Sequence, residues 1–122
     1  MKLLFIGGGN MASAIISGLS TKKHNIYVID PSPLARKKIL RLGKNNSNRS
    51  VIEVFSNIQD FLKKNIKPSW LLLGVKPQQI NSVYQEIRRV KVDWISTTPI
   101  LSIVAGLNIK TLQVLTKNKN IF

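Results

Sequence analysis

Apolar residues in this chain form short continuous runs that alternate with segments of three- and four-residue spacing. Leu3-Leu4-Phe5-Ile6 stops at glycines, as a buried parallel strand does. Asn10 to Leu19 reads as a helix with Met11, Ala14, Ile15, Gly18 and Leu19 on one face. Its small residues, Ala12, Ser13, Ala14 and Ser17, keep it slim enough to lie close to a sheet. After a turn at Lys22-Lys23-His24-Asn25, Ile26 to Ile29 is a second strand, closed by Asp30-Pro31-Ser32-Pro33. Ser32 suits a helix cap and Pro33 a first turn. That helix carries Leu34, Lys38 and Leu42 along one side, Ala35 and Ile39 beside them, and ends at Gly43. The Asn-rich stretch from Lys44 to Ser50 is a loop.

Val51 to Phe55 is a third strand, followed by a short helix around Ile58 to Lys64. Trp70 to Val75 is the most hydrophobic strand and is expected centrally in the sheet. Gln78 to Arg89 is a helix with Ile80, Val83, Tyr84 and Ile87 inward. Ile100 to Val104 is a fifth strand ending at Ala105-Gly106, and Ile109 to Leu115 is a last helix. This alternation predicts βαβ units with right-handed crossovers. The fold class is α/β: a Rossmann-like, doubly wound parallel sheet of about five strands with helices on both faces, one domain over residues 1–122.

Composition narrows the chemistry. The chain has 122 residues and no cysteine, which removes disulfide scaffolds, thiolate metal sites and thiol catalysis. No apolar run approaches the length of a membrane span, and the run at the start is too short for a secretory signal. A soluble, cytoplasmic domain is the expectation. The net charge is +14, yet the cations are scattered over separate loops and solvent faces, with no aromatic-rich strand or recognition-helix pattern. Nucleic-acid binding is therefore disfavoured, while a positive field still attracts a polyanionic dinucleotide. The lone histidine, His24, reads as a surface residue in a turn, and the five acids form no pair, metal cluster or triad.

The motif that carries chemistry is Gly7-Gly8-Gly9-Asn10-Met11-Ala12. It is a Gly-x-Gly-x-x-Ala between the first strand and the first helix. Gly7 permits the tight turn, Gly9 lacks the Cβ that would bar a pyrophosphate, and Ala12 lets helix and strand approach. The helix N-terminus offers N–H groups and partial positive charge to phosphates. Asp30 follows by about 20 residues, where an acid meets ribose hydroxyls. Its carboxylate repels a 2′-phosphate and favours NAD, whereas Ser32, Arg36 and Lys37 could answer one. NADP and NAD both stay open.

These segments together resemble pyrroline-5-carboxylate reductase. The resemblance is carried by Phe5 to Ala12, Asp30-Pro31-Ser32-Pro33, Gly74-Val75-Lys76-Pro77-Gln78 and Ser102-Ile103-Val104-Ala105-Gly106, in order and spacing. Coenzyme F420-linked NADP oxidoreductases share the first turn but fit the later segments less well. The resemblance implies reduction of a cyclic imine by NAD(P)H to give proline. It places Ile6, Gly7, Gly8, Gly9, Asn10 and Met11 along the pyrophosphate, and Asp30 and Ser32 at the adenosine ribose. Asn57 matches a cofactor-touching position, and Gly74, Val75, Lys76, Pro77, Ile103, Val104 and Ala105 border the nicotinamide half. Lys76 reads as a positioning loop residue rather than a proton donor.

The sequence departs from the family pattern in three places. Asp30 stands where a small polar residue is more usual, and Asp93 to Pro99 is a longer approach to the fifth strand. Asn120-Ile121-Phe122 falls where the family begins its sixth strand, before a helical domain that supplies substrate pocket and dimer interface. The expectation is a cofactor half without a catalytic residue of its own, in a family whose full-length members oligomerise. Loss of that domain would expose apolar surface near Ile103, Leu107 and Leu112. A stand-alone NAD(P)-binding module acting with a partner chain, or a basic nucleic-acid-associated domain, are the alternatives.

Overall fold

A computed structural model describes residues 1–19, 23–44, 50–104 and 108–122. Five parallel strands, β1 (Lys2–Ile6), β2 (Asn25–Ile29), β3 (Val51–Phe55), β4 (Trp70–Leu73) and β5 (Ile100–Ser102), form one sheet in the order β3-β2-β1-β4-β5. The helices are α1 (Asn10–Gly18), α2 (Pro33–Lys44), α3 (Ile58–Leu62), α4 (Ile80–Arg89) and α5 (Ile109–Thr116). Ile6 lies opposite Ile29 on one side and Leu73 on the other, so β1 is the central strand and β4 its interior neighbour. No helix among the described residues is long and apolar enough to cross a membrane.

Alternation along the strands feeds two cores. Leu4, Ile6, Tyr27, Ile29, Leu71 and Leu73 point to the face covered by α3, α4 and α5. Leu3, Phe5, Ile26, Val28 and Leu72 point to the face of α1 and α2. The chain winds from β1 to β3 in one direction and from β4 to β5 in the other. Right-handed crossovers then put the two sets of helices on opposite faces. The sheet is doubly wound and Rossmann-like.

Several expectations need correction. On α1 the buried residues are Ala12, Ser13 and Ile16, and Met11 is exposed. Ala12 must meet the sheet for the glycine turn to close, and that rotates Met11 and Ala14 outward. On α2 the inward residue is Ile39, while Leu34 and Lys38 are exposed. β5 stops at Ser102 rather than Val104, because the Ser102 hydroxyl accepts the Val104 N–H at 3.3 Å and turns the chain out of the ladder. Leu112 is fully buried and contributes no exposed apolar surface; Leu107 lies outside the described residues. The loop expected over 44–50 falls mostly on residues outside the described set, as does Lys22.

His24 is buried at the amino end of β2, not a surface residue. The N-terminal amine stands 3.3 Å from its Nδ1, and its main-chain N–H donates to the Ser50 hydroxyl at 3.2 Å. It lies at the opposite end of the sheet from the strands' carboxyl ends. After α5 the chain returns beside β5. Ile100 donates to the Asn120 carbonyl, Phe122 to Ile100 and Ser102 to Phe122, each at 2.8 Å. Ile121 thereby pairs in parallel with Ile100, where the resemblance places a sixth strand.

Candidate functional site

The carboxyl ends of β1 and β4 meet at the point where the strand order reverses, the position at which open α/β sheets bind ligands. The Gly7 N–H donates to the Ile29 carbonyl and the Gly74 N–H to the Ile6 carbonyl, both at 2.8 Å. Gly7 has φ +103°, and a Cβ on it would lie 2.7 Å from the Gly74 carbonyl carbon and 2.9 Å from the Val75 nitrogen. Only glycine fits there. The next amide, Gly8, donates to Asp30 Oδ2 at 2.7 Å.

From Gly9 onward the amides are open. The first hydrogen bond of α1 runs from Ser13 N–H to the Gly9 carbonyl at 2.9 Å, and no side chain caps the helix. Among the described residues the N–H groups of Gly9, Asn10, Met11 and Ala12 therefore have no hydrogen-bond partner. Gly9 itself is ordinary in backbone, with φ −77° and ψ −163°. A Cβ on it would meet nothing within 4 Å. Among the described residues no packing contact requires glycine at this position. The expected cradle thus divides into Gly7 and Gly8, which hold the turn, and Gly9 to Ala12, which can hold an anion. Residues of this kind fit the diphosphate of a nicotinamide dinucleotide.

Around the turn, a cleft of about 140 Å³ is lined by residues including Ile6, Gly7, Pro31, Val75, Gln79 and Glu86. It is smaller than the roughly 300–1,000 Å³ of a complete small-molecule pocket, so it accommodates part of a ligand. Pro31, Gln79 and Glu86 were not among the residues expected here. Gln79, exposed just before α4, and the half-buried Glu86 flank Val83 at i, i+4 and i+7 spacing, and that repeat was the available signal.

Other expected residues divide. Asp30 sits beside the cleft, Oδ2 accepting from Gly8 N–H and Oδ1 from Ser32 N–H at 2.8 Å. Ser32 caps α2, its hydroxyl accepting the Ala35 N–H at 3.3 Å. Val75 lines the cleft, and Ile103 packs on Gly74, where an added Cβ would lie 3.1 Å from Ile103 Cδ1. Val104 follows half-buried, and Ala105 lies outside the described residues.

Asn57 is occupied with capping α3, accepting the Asp60 N–H at 2.9 Å, and its neighbour Ser56 lines the cleft instead. Lys76 and Pro77 are exposed, with the Lys76 N–H donating to Gln79 Oε1 at 3.2 Å as the chain enters α4. Lys38, placed along one side of α2 with Leu34 and Leu42, reaches the start of α1 and donates to Asn10 Oδ1 at 2.9 Å. Arg36 turns back to the main-chain carbonyl of Asp30 at 2.8 Å. A lysine on the second helix announces no such reach in sequence, because the distance between α1 and α2 is a property of packing.

The chain is 36% identical over 114 residues to the pyrroline-5-carboxylate reductase of Pasteurella multocida, covering 91% of this chain and 38% of that protein. It is 33% identical over 116 residues to the Haemophilus influenzae pyrroline-5-carboxylate reductase, covering 93% and 38%. The chain thus spans well under half the length of these curated relatives. In fold it is similar to the crystal structure of the probable 2-dehydropantoate 2-reductase of Bacillus subtilis, with a TM-score of 0.54 and 18% identity over 87% of this chain and 34% of that one. The family model described as NADP oxidoreductase, coenzyme F420-dependent, matches residues 2–106. Its match runs past the first turn through Gly74 to Gln78 and Ser102 to Gly106, further than the first turn alone suggested. The chain belongs to this family of coenzyme F420-dependent NADP oxidoreductases, and its similarity to pyrroline-5-carboxylate reductases lies in their nucleotide-binding part.

Proposed function

We propose that this chain is the cofactor-holding half of a pyrroline-5-carboxylate reductase. The observation that carries this reading is Gly9, a glycine with no internal cause, standing at the mouth of four open amides. A nicotinamide dinucleotide held there would supply the hydride for reduction of the imine. The chain's own residues bind and orient. Gly9 to Ala12 hold the diphosphate through main-chain N–H groups, and Asp30 faces the adenosine ribose. Gly74, Val75 and Ile103 form an apolar wall beside the central crevice, which excludes water from the reduced ring. Among the described residues the cleft that Val75 lines holds one acid, Glu86, and no lysine or arginine to clamp a substrate carboxylate, a role this reading leaves to another part of the enzyme.

A chimaera tests this. The matching first part of the Pasteurella multocida relative is replaced by this chain, and imine-dependent oxidation of NADH and NADPH is measured. Turnover with pyrroline-5-carboxylate is expected. A folded chimaera that binds nucleotide but is silent, beside an active parent, contradicts the reading.

A further inference from the structure

The five acids of this basic chain are unevenly placed. Glu53 is paired with Lys64 at 3.3 Å and Asp60 with Lys63 at 3.5 Å, while Asp93 is exposed on a short turn beyond α4. The remaining two stand at the nucleotide cleft: Glu86 lines it, and Asp30 lies between Ile29 and Pro31, which also line it. Neither makes an ion pair among the described residues. In a molecule of net charge +14, two of the three acids without an ion pair among the described residues, Asp30 and Glu86, stand at this cleft, and the third is Asp93.

We infer that Asp30 makes this chain select an unphosphorylated adenosine ribose, and hence NADH over NADPH; the inference rests on the cofactor site proposed above. Asp30 ends β2, where an acidic side chain accepts ribose hydroxyls. Its carboxylate is held at both oxygens, by Gly8 N–H at 2.7 Å and Ser32 N–H at 2.8 Å, so swinging aside for a larger group would forfeit both bonds. Each oxygen keeps a further lone pair for a hydroxyl proton, and an ionised carboxylate has no donor to give a phosphate.

Two of the three cations near Asp30 already carry hydrogen bonds. Arg36 is turned to the Asp30 carbonyl and Lys38 to Asn10 over the start of α1, while Lys37 is exposed on α2. The Ser32 hydroxyl serves as the helix cap. The family's description names NADP; the residues around Asp30 point the other way in this member.

The test measures dissociation constants of the 122-residue chain for NADH and NADPH, read from the emission of the reduced nicotinamide. ADP-ribose and its 2′-phosphorylated form serve as competitors that isolate the ribose. NADH is expected to bind at least tenfold more tightly than NADPH, with the same order for the two competitors. Asp30→Asn and Asp30→Ser are expected to bring the ratio within threefold or invert it. Because Asp30 also holds the turn, each variant's melting curve is recorded, and the competitor pair on the unaltered chain decides the matter if a variant fails to fold. Equal or tighter binding of the phosphorylated ligands by the unaltered chain overturns the inference while leaving the cofactor site standing. A ratio unmoved in folded variants does the same. Binding of neither dinucleotide overturns both the site and the inference.

Discussion

Gly7 and Gly74 approach so closely that a Cβ on Gly7 would lie 2.7 Å from the Gly74 carbonyl carbon. Two residues further on, Gly9 has open space around it. One motif therefore contains glycines in opposite surroundings: the first is demanded by the fold, the second stands free of it.

That contrast predicts two different failures. Gly7→Ala combines a left-handed φ with overlap against main chain, and is expected to cost about 3 kcal/mol or more of stability. Gly9→Ala is expected to change stability by less than about 0.5 kcal/mol, yet to weaken dinucleotide binding at least tenfold. Urea melts and nucleotide titrations of the two variants side by side check this.

A second prediction concerns Asn118, which is fully buried beyond α5. Its Nδ2 donates to the carbonyls of Ile95 at 3.1 Å and Thr98 at 2.6 Å, and its Oδ1 accepts the Asn120 N–H at 2.8 Å. It joins the approach to β5 with the strand-like segment at Ile121. Asn118→Ala strips three main-chain groups of partners, one buried and two part-buried, and is expected to cost about 2–4 kcal/mol. Asn118→Asp, which sets an oxygen against two carbonyls, is expected to cost at least as much. The urea midpoint reports both.

Much of this architecture was readable along the chain because local pattern and global fold agree. The apolar runs around Leu4, Val28 and Leu72 are buried on both faces of a parallel sheet, so continuity of hydrophobicity marked them without ambiguity. The glycine turn was legible for the same reason: strand, turn and helix each require their own residue types. What escaped was set by packing between distant elements. His24 is buried because the N-terminal amine and Ser50 converge on it from elsewhere in the chain. The burial of Ala12 and Ile16 in place of Met11 follows from a rotation of about one residue that periodicity alone does not fix. The reach of Lys38 to Asn10, and the tie between Asp30 and Gly8, depend on how α1 and α2 settle on β1 and β2.

A third prediction follows from Tyr27, buried in a cluster with Phe55 and Phe61 at centroid distances of 6.5 and 5.5 Å. Burial, then the nearby Glu53 carboxylate, push its phenol above the ordinary tyrosine range, against a smaller lowering by Lys64. The folded state thus keeps its proton where the unfolded chain loses it. That contribution to stability is fully present below about pH 10 and is lost as pH rises through the folded value. Tyr27→Phe is expected to flatten the alkaline fall in stability, measured as urea midpoints between pH 8 and pH 11.

A fourth prediction concerns the reporter. Trp70 opens β4 at the amino end, in ring contact with Phe122 at 5.9 Å, and Trp94 is buried against Phe61 at 6.3 Å. Both lie away from the carboxyl ends where nucleotide would bind. Tryptophan emission is therefore expected to change little on NADH addition, while the emission of the reduced nicotinamide responds. The two signals recorded in one titration check this.

The central claim is that the amides of Gly9, Asn10, Met11 and Ala12 receive the diphosphate of a nicotinamide dinucleotide. At 13.7 kDa the chain suits amide-resolved nuclear magnetic resonance, and a titration with NADH reads those four groups individually. The account predicts that their resonances move saturably, with a change in the diphosphate phosphorus signals at the same ligand concentration, while the internally bonded Gly7 amide moves less. Four resonances unmoved by millimolar NADH in a folded chain would contradict it.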